Sequence, residues 1–219
     1  MQINSFIYTF VEENCISFEK LSLDKYMYMK DLLKQIILEQ QEILHSSDRV
    51  YVQRHIEDEW LRTTEILILS GIRRCGKSVL IQQLRDRLQE KDFFFNFDDE
   101  RLANFKLEDF QTLQECFYEL FGEQHTYYFD EIQNIEGWER YVRRLYNEGN
   151  KIIITGSNAR MLSRELGTHL TGRYIQAEIY PFSFKEYLQM RKVALTDKTL
   201  YTTAGRALIM NEFSNYLAN

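Results

Sequence analysis

Two kinds of apolar spacing follow one another along this chain, and each predicts a different element. Short apolar runs are typical of buried strands, whereas apolar residues that recur every three or four positions are typical of a helix with one buried face. The runs predict five strands, over residues 65–70, 93–97, 126–129, 151–155 and 174–179. Helical spacing separates most of these strands. The pattern therefore predicts an α/β fold, with a parallel sheet and helices on both of its faces.

The predicted helices differ in how clearly they begin. An amphipathic helix is predicted from about Lys30 to Leu44, where apolar residues recur at helical spacing. Its start is placed near Lys30 because residues 1 to 28 show no periodicity that continues into it. Ser183 and Glu186 have the spacing of a capping box, which predicts a helix that starts shortly after Pro181. A last amphipathic helix is predicted over 204–217.

Residues 71–78 contain the most specific motif of the chain. They read Gly-Ile-Arg-Arg-Cys-Gly-Lys-Ser, a complete Gly-x-x-x-x-Gly-Lys-Ser pattern between a predicted strand and a predicted helix. In that setting the backbone N–H groups surround phosphate oxygens at the start of the helix. Lys77 then reaches the β- and γ-phosphates, and the Ser78 hydroxyl binds Mg²⁺. The predicted nucleotide-binding residues are Gly71, Ile72, Arg73, Arg74, Cys75, Gly76, Lys77, Ser78 and Val79.

Two carboxylates, Asp130 and Glu131, follow the third predicted strand. A carboxylate at the carboxyl end of a strand beside a phosphate loop is placed to hold Mg²⁺. A second carboxylate can polarise the attacking water as a general base. A solvated acidic pair at a strand end is the alternative. The position of the pair, about 50 residues after the loop, favours Asp130 as a metal ligand and Glu131 as the base.

Polar residues near the last two strands complete the candidate site. Asn158 is predicted to contact the γ-phosphate or orient the water, with Ser157 as the alternative if the polar position is shifted by one. An ordinary helix N-cap would use the same residue types. Arg173 precedes the fifth strand and is a candidate arginine finger for a neighbouring subunit. A surface arginine paired with an acidic residue is the other interpretation.

Composition narrows the class of protein. A chain of 219 residues with 44% hydrophobic side chains suits one domain, or one domain with an appendage. The formal net charge of −6 argues against a broad nucleic-acid-binding surface but permits a local basic patch. Three cysteines without metal-ligand or disulfide spacing fit a reducing compartment. No apolar run approaches the length of a membrane span. We expect a cytoplasmic protein without a membrane segment.

The ordered motifs resemble those of the prokaryotic AAA-type ATPases that carry a C-terminal domain of unknown function. The segments that carry this resemblance are 68–78, 95–99, 129–140, 152–158, 170–174 and 180–187. The resemblance implies a P-loop NTPase of the additional-strand, catalytic-glutamate class, with sheet order 5-1-4-3-2 and with ATP and Mg²⁺ as cofactors. Gln133 falls in the family's Asp-Glu-Ile-Gln pattern, for which the sequence suggests no mechanistic role.

The resemblance also implies a division of the chain. Residues 1–29 are expected to be an N-terminal extension, and residues 30–192 an AAA-like ATPase domain with its N-terminal helix. Residues 193–219 are expected to be the helical start of a truncated C-terminal region, because family members continue well beyond this point.

The sequence therefore predicts Mg²⁺-dependent ATP hydrolysis that changes the shape of a partner or of a homo-oligomer. The partner, a protein or a nucleic acid, stays unidentified. One alternative is a nucleotide-switched interaction module with negligible hydrolysis. Another is a P-loop kinase for a small molecule, against which Asp130 and Glu131 argue, since a kinase does not need the second carboxylate.

Overall fold

Five parallel strands form one sheet. The computed structural model describes residues 23–43, 51–156, 170 and 172–218. The strands are β1 (Ile66–Ser70), β2 (Phe94–Asn96), β3 (Thr126–Asp130), β4 (Lys151–Gly156) and β5 (Tyr174–Glu178). They lie in the order β2-β3-β4-β1-β5, and every neighbouring pair is parallel. Read from the other edge this is 5-1-4-3-2, so the predicted fold class and strand order are confirmed.

Helices cover the sheet and extend beyond it. They are α1 (23–43), α2 (Asp58–Arg62), α3 (Lys77–Arg87), α4 (Asp109–Phe121), α5 (Trp138–Asn147), α6 (Phe184–Met190), α7 (Asp197–Tyr201) and α8 (Thr203–Ala218), with short 3-10 turns at Glu100–Leu102 and Ile132–Asn134. Each predicted strand is present with its ends within one residue of the prediction. The short helices α2 and α7, five residues each, were not predicted, because so few residues show no helical period.

Alternate residues of the strands pack into two separate cores. In β1, Ile66 and Ile68 face the side of α1, α4 and α5, whereas Leu67 and Leu69 face α3. Every residue of β1 and β3 is buried. A sheet covered on both faces requires this, and it explains why these strands appear in the sequence as continuous apolar runs.

Helix α1 begins earlier than the sequence predicts. It starts at residue 23, so the predicted start near Lys30 is wrong, and the division expected between residues 29 and 30 falls inside a helix. Residues 23–28 are exposed, including the apolar Leu23 and Met27, while Leu33, Ile36 and Ile37 are fully buried. Polar contacts hold the early part instead. The Tyr26 hydroxyl, for example, donates to Glu115 of α4 at 2.6 Å.

The same helix ends the sheet at its β2 edge. The Gln40 side chain accepts from the Asn96 N–H at 2.9 Å and donates to the Asn96 carbonyl at 3.0 Å. These are the backbone groups that an additional strand would use, so the amide replaces a strand at this point. Helix α1 therefore belongs structurally to the sheet unit.

Helix α8 packs on α6 through aromatic side chains. Phe184 meets Phe213 at a ring-centroid distance of 5.0 Å, and Tyr187 meets Tyr216 at 5.4 Å. The capping box of Ser183 and Glu186 is present at the start of α6, and α8 spans the predicted helix 204–217. Within the described part of the chain, no helix is long and apolar enough to cross a membrane.

Candidate nucleotide-binding site

A cavity of about 740 Å³ lies at the carboxyl edge of the sheet. Its walls are the loop after β1, the first turn of α3 and the segments that end β2 and β3. The lining residues are Arg73, Arg74, Gly76, Lys77, Ser78, Val79, Asn96, Asp98, Asp130 and Glu131. Most of the predicted phosphate loop and both predicted carboxylates therefore share one cavity.

Two glycines give the loop its shape. A Cβ on Gly71 would lie 2.2 Å from the Ile179 carbonyl oxygen, so no other residue fits where the loop leaves β1. Gly76 has φ 96°, a left-handed conformation that favours glycine, and it lies directly before α3. Because α3 begins at Lys77, its first N–H groups, which have no partners within the helix, lie beside the cavity. A helix N-terminus in this position favours an anion.

The Lys77 side chain is held inside the loop. Its ammonium donates to the carbonyls of Gly71 and Ile72 at 3.1 Å each and lies 3.8 Å from Glu131 Oε1. Lys77 is only 4% exposed. The cation is thus oriented before any phosphate arrives, and its carboxylate neighbour is the predicted general base.

Asp130 lies at the end of β3 and is buried. The Thr155 hydroxyl donates to its Oδ1, and the Ser78 side chain is also hydrogen-bonded to it. Burial raises the pKa of Asp130 above its ordinary value, against the lowering effect of these two hydrogen bonds. A desolvated carboxylate of this kind gains from a nearby cation.

The donor set fits Mg²⁺. Ser78 supplies a hydroxyl oxygen and Asp130 a carboxylate oxygen, both at the cavity. Among the described residues there is no group of three or more His, Cys, Asp or Glu that could hold a metal ion. Magnesium does not need one, since it keeps several waters and is bound through one or two carboxylates together with phosphate oxygens.

Glu131 follows Asp130 in a strained backbone conformation. Its φ of 53° is left-handed, which is uncommon outside glycine. The Glu131 N–H donates to Thr155 Oγ1 at 3.0 Å, and the same hydroxyl donates to Asp130. A single threonine on β4 therefore connects the two carboxylates.

The remaining predicted residues lie elsewhere. Cys75 is buried in the core on the α3 side, and Ile72 is 62% exposed and does not line the cavity. Ser157 and Asn158 lie outside the described residues. Arg173 lies at the opposite edge of the sheet, where its carbonyl accepts a hydrogen bond from the Ile66 N–H at 2.9 Å.

Sequence reasoning missed Thr155, Asn96 and Asp98. Asn96 pairs in register with Asp130, and the register Phe129↔Ile154 continues to Asp130 and Thr155. A signal for Thr155 was present. Thr155 lies two residues after Ile153 in β4, and Asp130 lies two residues after Tyr128 in β3. Ile153 and Tyr128 both belong to the core on the α3 side, so Thr155 and Asp130 lie on that face of the sheet. Side chains alternate between the two faces along a strand. Combined with the implied strand order, this alternation predicts that Thr155 and Asp130 are neighbours.

The parallel sheet of this order, with a phosphate loop between β1 and α3 and two carboxylates at the end of β3, defines a P-loop nucleotide-binding domain. Residues 63–188, more than half of the chain, match the AAA domain family. The chain belongs to that family and contains an AAA-type ATPase region. Nucleotide binding and hydrolysis are the general activities that this membership supports. Helix α1 lies outside the matched residues although it packs into the same core.

Several curated proteins are similar to this chain. The uncharacterized protein MJ1544 of Methanocaldococcus jannaschii is 31% identical over 205 residues, which cover 93% of this chain and 45% of that protein. An uncharacterized protein of Haemophilus influenzae is 43% identical over 154 residues, 65% of this chain and 37% of its own length. The chain spans less than half of the length of these relatives.

Solved structures show weaker similarity. AMPPCP-bound DnaA from Aquifex aeolicus aligns with a TM-score of 0.42 and 15% identity, over 74% of this chain and 57% of that one. PCH-2 of C. elegans aligns with a TM-score of 0.42 and 14% identity, over 74% of this chain and 44% of that one.

Proposed function

We propose that this chain binds ATP with Mg²⁺ and hydrolyses it to ADP and phosphate. The observation that carries the proposal is the shared cavity, in which the Glu131 carboxylate lies 3.8 Å from the phosphate-loop ammonium of Lys77. A base placed beside the cation that holds the γ-phosphate is within reach of a water that attacks that phosphate.

Each residue of the cavity has a separate task in this proposal. The loop N–H groups and Lys77 bind the phosphate oxygens, and Ser78 and Asp130 hold the metal. Mg²⁺ held by these two residues would supply positive charge beside the phosphates of the nucleotide. Glu131 accepts a proton from the attacking water as the water oxygen bonds to the γ-phosphorus. The bond from that phosphorus to the oxygen of ADP breaks in the same step.

Arg173 supports an extension of the proposal to an oligomer. The five residues of β1 separate the amino edge of the sheet from the phosphate loop by about 16 Å. Arg173 at that edge is therefore remote from the γ-phosphate of its own chain. We propose that it acts on the site of a neighbouring copy, so that complete activity requires a homo-oligomer.

The test compares phosphate release by the chain and by Glu131→Gln. We expect kcat to fall by about 100-fold or more, while ATP affinity is retained because the phosphate loop is intact. Glu136→Gln is the matched control, since Glu136 is an exposed carboxylate five residues away that does not line this cavity.

Equal and detectable phosphate release by Glu131→Gln and the wild type would contradict the assignment of the base. ATP binding without detectable release by either protein would instead favour the nucleotide-switched interaction module.

A further inference from the structure

Gln133 holds the tip of the Glu131 side chain. It lies in the 3-10 turn Ile132–Asn134 directly after the two carboxylates. Its Nε2 donates a hydrogen bond to Glu131 Oε2. Because an ionised carboxylate can only accept hydrogen bonds, the NH₂ end of the amide must be the end that faces Glu131.

The other end of this amide has no partner among the described residues. Gln133 Oε1 is buried and accepts no hydrogen bond there. A buried carbonyl without a donor costs stability, whereas an apolar side chain of similar size would avoid that cost. Stability alone therefore does not explain a glutamine here. The adjacent Asn134 differs, since its amide donates to the Phe97 carbonyl at 3.3 Å and to Asp98 at 3.4 Å.

The two oxygens of the Glu131 carboxylate have different neighbours. Oε2 is held by Gln133, while Oε1 lies 3.8 Å from Lys77 Nζ in the cavity. The Glu131 backbone is anchored as well, through its N–H to Thr155. Gln133 and Thr155 together restrain both ends of the residue.

We propose that Gln133 is a positioning residue for Glu131. This inference rests on the proposed function. By holding Oε2, the amide presents Oε1 to the attacking water, and Oε1 accepts the water proton as the water oxygen bonds to the γ-phosphorus. Gln133 itself is not among the residues that line the cavity. Its loss leaves the phosphate loop and the metal ligands in place but allows the carboxylate to rotate away.

The test uses Gln133→Leu, which keeps the volume and removes the amide, and Gln133→Ala as a second variant. We expect kcat for phosphate release to fall by about 10- to 100-fold, because a base displaced by about 1 Å loses that much rate. KM and ATP affinity should stay within about twofold of the wild type, since the nucleotide contacts are unchanged. The thermal midpoint of Gln133→Leu should equal or exceed that of the wild type.

Gln111→Leu is the matched control. Gln111 of α4 makes the same kind of contact, from its Nε2 to Glu115 Oε1 at 3.3 Å, on an exposed surface. The Gln111→Leu substitution should leave kcat unchanged. In the Glu131→Gln background, Gln133→Leu should cause no further loss, because there is no longer a base to position.

Three outcomes would overturn the inference. One is an active wild type with unchanged kcat in Gln133→Leu and Gln133→Ala, which would leave the proposed function intact. Another is a fall in kcat that only follows a loss of folded protein in both variants, which would make the residue structural. A wild type that releases no more phosphate than Glu131→Gln would remove the assignment of Glu131 as the base, and this inference with it.

Discussion

The two edges of the central sheet use their polar groups in opposite ways. At the carboxyl edge, the side chains of Lys77, Asp130 and Glu131 line a cavity. Arg74 and Glu131 there adopt left-handed backbone conformations. At the amino edge, the Lys151 ammonium donates to the carbonyls of Trp60 and Thr63, at 3.2 and 2.8 Å. The carboxyl edge therefore holds charge and backbone strain beside a binding cavity, and the amino edge uses charge to hold a helix end in place.

Effects on activity and effects on stability should therefore separate between the two edges. Substitutions at the carboxyl edge are expected to change nucleotide binding and turnover more than folding. Substitutions at the amino edge are expected to do the reverse, with Arg173 as the proposed exception.

Lys77→Ala should have the largest effect, because it removes the cation at the centre of the phosphate loop. We expect ATP affinity to fall by at least about 100-fold, since two or more charge-assisted contacts to phosphate are lost, and turnover to reach background. Isothermal titration with ATP and Mg²⁺ measures the affinity, and Lys185→Ala, at an exposed lysine of α6, is the control. Undiminished binding would show that the nucleotide site lies elsewhere.

Arg173→Ala should lower turnover by about 1,000-fold with little effect on ATP affinity, as expected for an arginine finger. Mixing Arg173→Ala with Lys77→Ala tests whether the arginine acts between copies. In a mixed oligomer, an intact loop of one copy would receive Arg173 from the other, so part of the activity should return. Arg62→Ala, at an exposed arginine of α2, is the control and should show no such loss of turnover. No recovery on mixing would argue against action between copies.

Thr155→Val should lower kcat by about tenfold, because Asp130 and the Glu131 N–H both lose their contact with the Thr155 hydroxyl. Thr155→Ser keeps the hydroxyl and should retain most of the activity. Steady-state phosphate release checks both variants. A full loss of activity in Thr155→Ser would mean that the methyl group, not the hydroxyl, is the part that matters.

Lys151→Met should have the smallest effect on activity and a measurable one on stability. Removing the ammonium leaves two carbonyls near the end of α2 without their donor, which should reduce the free energy of unfolding by about 1 to 3 kcal/mol. Urea unfolding measures this loss, with Lys185→Met as the control. A large fall in kcat without destabilisation would break the distinction between the two edges.

Much of the fold was predictable because its signals are local. A buried strand appears as an apolar run, and the phosphate loop must be continuous in sequence because its backbone surrounds one ligand. The start of α1 was not predictable, since residues 23–28 are exposed and contact α4 through polar groups. Leu23, Tyr26 and Met27 remain exposed, so the buried face of α1 does not extend to its first residues.

The candidate site was predictable in part, for the same physical reason. Lys77, Ser78, Asp130 and Glu131 belong to short motifs, so the sequence alone was enough to propose them for phosphate, metal and base chemistry. Three further contacts became visible in the folded protein alone. Thr155 connects Asp130 to Glu131, and Gln133 holds Glu131 Oε2. Asn96 and Asp98 complete the cavity. These contacts join the ends of different strands and depend on strand order, register and side-chain rotamers, which residues distant in sequence establish together.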